Sequence, residues 1–202
     1  MKNYSIVVSG VIASEVTFSH SHADRDFYRF DLEVKRRNEA KDILPVVVPA
    51  DVPGFDGLSV GDRICVKGYI NSNRRDGQRM TYINCYELEA ANSEDRDTNS
   101  VAFLGYVCGN RGARETADGH KVSAMMVAIP RYHGVSDYVS CVGWGDISEE
   151  MKELPMGTKV VIHGRMQSHT YNGRTLHDVS VRRLTVIPPK EDAENPDVDP
   201  AA

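Results

Sequence analysis

One hairpin-forming stretch occurs twice in this chain, and that repeat constrains the fold more than any single motif. Met156-Gly-Thr-Lys-Val-Val-Ile-His-Gly-Arg-Met-Gln-Ser-His-Thr-Tyr171 echoes Val60-Gly-Asp-Arg-Ile-Cys-Val-Lys-Gly-Tyr-Ile-Asn-Ser-Asn-Arg-Arg75. The pairs Gly61/Gly157, Gly68/Gly164, Ser72/Ser168 and Gly77/Gly173 all keep one spacing of 96 residues. A fixed period describes architecture before any residue is given a role. The 202 residues therefore read as two copies of one small β-domain.

The copies run in the same order. In the first, 4–16 is a strand bent at Gly10, and 17–25 is a polar turn. Residues 27–35 alternate, with Tyr28, Phe30, Leu32 and Val34 on one face and Phe27 on the opposite, exposed one; this is the period-2 mark of a half-buried strand. A third strand spans 43–48, a Pro/Gly-rich connector follows to Gly57, and strands 63–71 and 80–88 flank a turn at Asp76-Gly77. The second copy offers strands at 101–108, 122–129, 138–144, 159–167 and 176–186. Gly105 marks the bend of its first strand, Asn172-Gly173 is a strong hairpin dipeptide, and Asp146-Ile-Ser-Glu149 has the pattern of a capping box.

Five strands with a connector between the third and fourth predict an all-β chain of two tandem five-stranded Greek-key barrels of the OB type. The expected units are 1–90, a linker 91–98, 99–187, and a tail 188–202. The tail holds four prolines and five acids, so it should be disordered.

Net charge is −5, which taken alone argues against a nucleic-acid partner. The acids are segregated, however. Segments 91–99 and 188–202 hold eight acids and two bases, so the rest of the chain carries +1. A near-neutral body permits a basic groove. No apolar run approaches the ~20 residues of a membrane span, and no signal peptide is evident. Cys65, Cys85, Cys108 and Cys141 sit singly in apolar runs and read as small buried hydrophobes in a reducing cytoplasm. No phosphate-binding Gly-rich loop, zinc-protease or serine-hydrolase motif is present, and no cofactor or metal is implied. His20-Ser-His22 reads as a surface pair in a polar loop.

Strand 138–144 places Tyr138 and Trp144 on the face opposite Val139 and Cys141, and Tyr171 leads into the hairpin turn. Aromatic rings on an exposed barrel face suit single-strand binding, because every base has a π-face. Tyr132, Arg131, Arg165, His169 and Arg174 lie near these rings in sequence, and Arg111 and Arg114 follow the first strand. In the first copy the places of Tyr138, Trp144 and Tyr171 are taken by Ile43, Pro49 and Arg75. That copy is basic instead, at Lys35, Arg36, Arg37, Arg74, Arg75 and Arg79, with Arg36, Arg37, Arg74 and Arg75 offered for phosphates. Its apolar strand face, Ile43, Pro45 and Val47, suits a protein partner as well as a nucleic acid.

An ordered set of segments resembles bacterial single-stranded DNA-binding proteins. It comprises Asn99-Ser-Val-Ala-Phe-Leu-Gly-Tyr-Val107, Val127-Ala-Ile-Pro-Arg131, Asp137-Tyr-Val-Ser-Cys-Val-Gly-Trp-Gly145, and Gly157 with Gly164-Arg-Met-Gln-Ser168 and Tyr171. The resemblance implies base stacking by Tyr138, Trp144 and Tyr171, with a fourth aromatic near Tyr132. It implies binding of single-stranded DNA with little sequence preference in replication, recombination or repair, in the cytoplasm with the nucleoid. It also implies a homodimer presenting four OB domains, with replication proteins as further partners. The chain ends Pro196-Asp-Val-Asp-Pro-Ala-Ala202, without the aromatic tip of that family. The alternatives are an OB-fold protein–protein module of the replication or primosome machinery, and RNA binding by the same physics.

Overall fold

The computed structural model describes residues 4–75, 77–92, 96–131 and 134–189. Strands β1 (Tyr4–Ile12), β2 (Thr17–His22), β3 (Arg25–Lys35), β4 (Lys41–Pro49), β5 (Arg63–Arg75) and β6 (Gln78–Ala90) form the first copy. Strands β7 (Asn99–Glu115), β8 (Lys121–Pro130), β9 (Ser136–Trp144), β10 (Lys159–Tyr171) and β11 (Arg174–Ile187) form the second, with helix α1 (Asp146–Lys152) between β9 and β10.

Each copy closes on itself. β1 pairs antiparallel with β3 and β5, β3 with β4, and β5 with β6; the parallel pair β4–β6 completes the ring. In the second copy β7 pairs with β8 and β10, β8 with β9, β10 with β11, and the parallel pair β9–β11 closes it. The two rings have one topology, that of the OB barrel. Alternation fills each interior: Ile6, Val8, Leu32, Leu44, Val46, Ile70 and Ile83 in the first, Phe103, Val127, Ile129, Val139, Ile162 and Met166 in the second. A register shift recurs at Lys67/Gly68 and at His163/Gly164, so the repeat preserves even its bulge.

Gly10 and Gly105 sit where the first strand of each copy closely approaches β3 and β8 respectively. A Cβ would lie 2.2 Å from the Glu33 carbonyl oxygen at Gly10, and 2.7 Å from that of Ala128 at Gly105. Only a residue without a side chain allows that approach.

Two local expectations are corrected. Residues 17–25 are not one turn: Thr17–His22 is strand β2, paired with β3. The turn is confined to Ala23-Asp24, both at positive φ (48° and 57°), as a tight hairpin requires. β2 is exposed along most of its length, so it has no apolar alternation to betray it. Asp146 is not the cap of α1 but its first helical residue. The chain enters through Gly145 at φ 57° with no side-chain cap, and Glu149 instead pairs with Lys121 at 2.9 Å and Lys152 at 2.6 Å. The cysteines are only partly as expected: Cys85 and Cys141 are buried, Cys65 is half-buried, but Cys108 is exposed. Burial pushes the Cys85 thiol up to about 12.

The barrels join through their first strands, β1 antiparallel to β7, with Tyr4 opposite Phe103, Ile6 opposite Val101 and Val8 opposite Asn99. Above this ladder the copies interlock twice, in the same way. Asp137, fully buried at the start of β9, accepts from the backbone N–H of Ser72 and, at 3.0 Å, from the Asn71 amide; the Tyr138 N–H donates to the Ser72 hydroxyl at 2.7 Å. Asp42, also fully buried, accepts from the Ser168 N–H at 2.8 Å, and the Ile43 N–H donates to the Ser168 hydroxyl at 2.9 Å. β5 therefore reaches over the start of β9, and β10 over the start of β4. From Arg63 and Lys35 the linker is held as well, since both meet the Asp97 carboxylate.

Candidate nucleic-acid interface

β9 positions two of the three rings by strand alternation alone. Val139 and Cys141 point into the barrel and are fully buried, while Tyr138 and Trp144 point out, 38% and 46% exposed. Tyr171 ends β10, beside Asn172 and Gly173 at positive φ, and is 64% exposed. Exposed rings gathered on one side of a barrel mark a contact surface.

Trp144 lines a groove of about 490 Å³ with Val142, Arg36, Arg111, Arg114 and His169. All of these except Val142 are phosphate- or base-contacting candidates from the sequence. Arg111 and Arg114 come from the long outer half of β7, and Arg36 arrives from the first copy. Tyr171 and Arg174 line a second groove, about 560 Å³, with Leu176 and with Gln78 and Arg79 of the first copy. Tyr138 stands at the edge of the junction, with the Arg79 guanidinium 4.6 Å from its ring centroid.

The arginines fall into two groups. Arg36 and Arg165 both meet the buried Asp42, Arg36 Nε at 2.8 Å and Arg165 Nη1 at 3.2 Å, and Arg131 pairs with Asp137 at 2.7 Å. These three neutralise the carboxylates of the interlock. Hydrogen bonding to Asp42 raises the Arg36 pKa, whereas desolvation lowers that of Arg165. Arg37, Arg74, Arg111, Arg114 and Arg174 are exposed. Arg37 lines a cleft of about 470 Å³ at the domain junction with Lys35, Arg36, Arg165 and Arg182. Arg75 ends β5, but its side chain, like Tyr132 as a whole, lies outside the described residues. So does the expected tail from residue 190 onward.

Titratable groups underlie the groove floor. His169 Nδ1 is 3.3 Å from Asp178, whose pKa burial raises. His177 Nε2 lies 2.9 Å from the Ile43 carbonyl oxygen of the first copy, and burial lowers its pKa.

The first copy carries a groove of its own, about 610 Å³, lined by Pro45, Val47, Met80, Tyr82 and Arg29. Ile43 and Pro49 stand in β4 where β9 has Tyr138 and Trp144, so this groove lacks those rings. Its rings are instead His20 of β2, Phe30 of β3 and Tyr82 of β6. Outside its lining, Phe18 is 56% exposed, and Phe27, expected to be exposed, is half-buried and stacks on His20 at 4.7 Å. Sequence reasoning missed the hairpin with β2, and also missed Arg79 as a neighbour of the second copy.

Among the described residues no helix is long and apolar enough to cross a membrane. A search of curated proteins gives no match to the chain. Among solved structures, the wild-type single-stranded DNA binding protein from Thermus aquaticus is similar, with TM-score 0.77 and 14% identity over 95% of this chain and 96% of that one. A deletion mutant of the same Thermus aquaticus protein matches with TM-score 0.74 and 16% identity over 93% of this chain and 98% of that one. At such identities the likeness establishes the tandem OB fold across nearly the whole chain. Residues 98–187 match the model of the single-strand binding protein family. Residues 98–187 thus place the second barrel in the single-strand binding protein family.

Proposed function

We propose that the strand runs along the groove of the second barrel, with bases stacked on Trp144, Tyr138 and Tyr171 and phosphates met by Arg111, Arg114 and Arg174. The observation that carries this reading is the Trp144 groove, where an exposed indole and exposed arginines line one channel. Stacking contributes roughly 1–3 kcal/mol per base and tolerates any base, so sequence preference should be weak. Arg37 and Arg74 of the first copy, both exposed, are further phosphate contacts in this reading, with Arg75 a candidate from sequence. Tyr132 is the fourth stacking candidate.

The division into residues 1–90, a linker 91–98 and 99–187 is supported by β6 ending at Ala90 and β7 beginning at Asn99. Two chains would together present four barrels as a homodimer. Tyr86, Tyr106 and Val186, at 43%, 39% and 46% exposure on strands β6, β7 and β11, supply apolar surface for such a contact. The free thiols suit a reducing cytoplasm, where the protein would lie with the nucleoid and serve replication, recombination or repair beside replication proteins.

Titration of the intact protein with oligo(dT), followed by Trp144 fluorescence at low and moderate salt, tests the reading. Saturable quenching that weakens with salt is the expected result. Tight binding without quenching would place the bases away from Trp144 and overturn the assigned path.

A further inference from the structure

The two copies keep the same crossing of hairpin over barrel, but its contents differ on the two sides. Where the β5–β6 hairpin of the first copy crosses the start of β9, it brings Arg79 onto Tyr138, guanidinium carbon 4.6 Å from the ring centroid. Where the β10–β11 hairpin crosses the start of β4, the equivalent residues are Thr175 and Ile43, which have neither cation nor ring. Arg79 also lines the groove that holds Tyr171 and Arg174. One side chain of the first copy therefore touches one exposed ring of the second and borders another.

We propose that Arg79 is a positioning residue of the second barrel's strand-binding site, so that the site is a composite of both copies. The guanidinium covers one face of Tyr138 by cation–π contact and fixes the ring, while 38% of the residue remains exposed for a base. A ring held in place loses less freedom when a base stacks on it. The first copy, without rings at the places of Tyr138 and Trp144, thus acts on DNA through the second.

The inference rests on Tyr138 being a stacking residue, and a double-mutant cycle keeps the two apart. Oligo(dT) affinity is measured for the full chain and for Arg79→Ala, Arg79→Lys, Tyr138→Ala and the Arg79→Ala/Tyr138→Ala pair, with thermal unfolding of each. A cation–π contact of this exposure predicts an about two- to fivefold loss for Arg79→Ala, partly recovered in Arg79→Lys. The double variant should bind as Tyr138→Ala alone does. Should the two losses multiply, or Arg79→Ala bind like wild type, Arg79 does not act through the ring and the proposal falls, with stacking on Tyr138 intact. Should Tyr138→Ala itself bind like wild type, stacking on Tyr138 falls as well. A lowered melting temperature for Arg79→Ala with unchanged affinity would leave Arg79 a structural residue only, and also overturns it.

Discussion

Ile6 and Val101 face each other across the β1–β7 ladder, and each is the other's counterpart in the repeat, 95 positions apart. A pseudo-two-fold axis must then pass between them. It relates Tyr4–Phe103 to Val8–Asn99, and it relates the Asp137–Ser72 interlock to Asp42–Ser168. The chain is built as an isologous dimer of one barrel, fused covalently.

The interlock should account for much of the stability of that fusion. Asp42 holds Arg36 and Arg165 and caps the Ser168 N–H, with its side chain fully buried. Replacing it with alanine strands two partly buried guanidinium groups and one N–H. Asp42→Ala should destabilise the chain by roughly 3–5 kcal/mol in urea unfolding, the usual cost of removing one partner of a buried pair. Ser168→Ala removes only a neutral hydrogen bond to the Ile43 N–H and should cost about 1 kcal/mol. Equal effects from the two would show that the carboxylate is not the centre of the contact.

The rings are expected to matter for binding and not for folding. Trp144 and Tyr171 are 46% and 64% exposed and take no part in the core. Trp144→Ala and Tyr171→Ala should each weaken oligo(dT) binding by about 1–3 kcal/mol while melting temperature stays put. A wild-type affinity in either variant removes that ring from the path.

Salt should separate the arginines that meet phosphates from those that meet Asp42 and Asp137. For single strands log K falls with log salt by roughly 0.7 per phosphate contact. Arg111→Ala and Arg114→Ala should each reduce the slope by about that amount, since both are exposed in the Trp144 groove. Arg131→Ala should instead lower stability, because its partner Asp137 is buried. Slopes measured by titration between low and moderate salt decide the matter.

Much of this was legible from the sequence, and the rest was hidden for identifiable reasons. The spacing of glycines and serines revealed two barrels because Gly68 and Gly164 mark one bulge, Ser72 and Ser168 one crossing, and Gly61, Gly157, Gly77 and Gly173 the positive-φ turns between strands. Alternation in β9 gave Tyr138 and Trp144, since period 2 assigns faces without knowledge of neighbours. The same alternation was silent on β2, whose two faces are both solvated. Asp42, Asp137, Ser72 and Ser168 were visible as repeated residues. A period cannot say that each serine bonds to the other copy's aspartate, because both pairings have the same sequence signature. Arg79 was legible as a basic residue, but its contact was not, because the ring it covers, Tyr138, lies 59 residues on and in the other barrel.

His177 makes the last relationship between copies sensitive to pH. Its Nε2 lies 2.9 Å from the Ile43 carbonyl oxygen, and burial lowers its pKa in the folded chain. When the chain unfolds the imidazole regains the ordinary value of about 6.5 and binds a proton more readily. Between the lowered folded pKa and that value the unfolded state holds more protons, so stability rises with pH there and is lost as pH falls below about 6.5. The buried carboxyls Asp137 and Asp178 work the other way, because burial raises their folded pKa values and favours the protonated form. Their contribution is complete in acid and declines as pH rises through their folded pKa values, so it does not mimic the histidine's trend. Melting temperature should therefore drop between pH 7 and pH 5 in the wild type, and His177→Gln, which keeps a donor for the Ile43 carbonyl, should flatten that drop. An identical pH profile in the variant would mean that the charge on His177 does not govern the contact between the barrels.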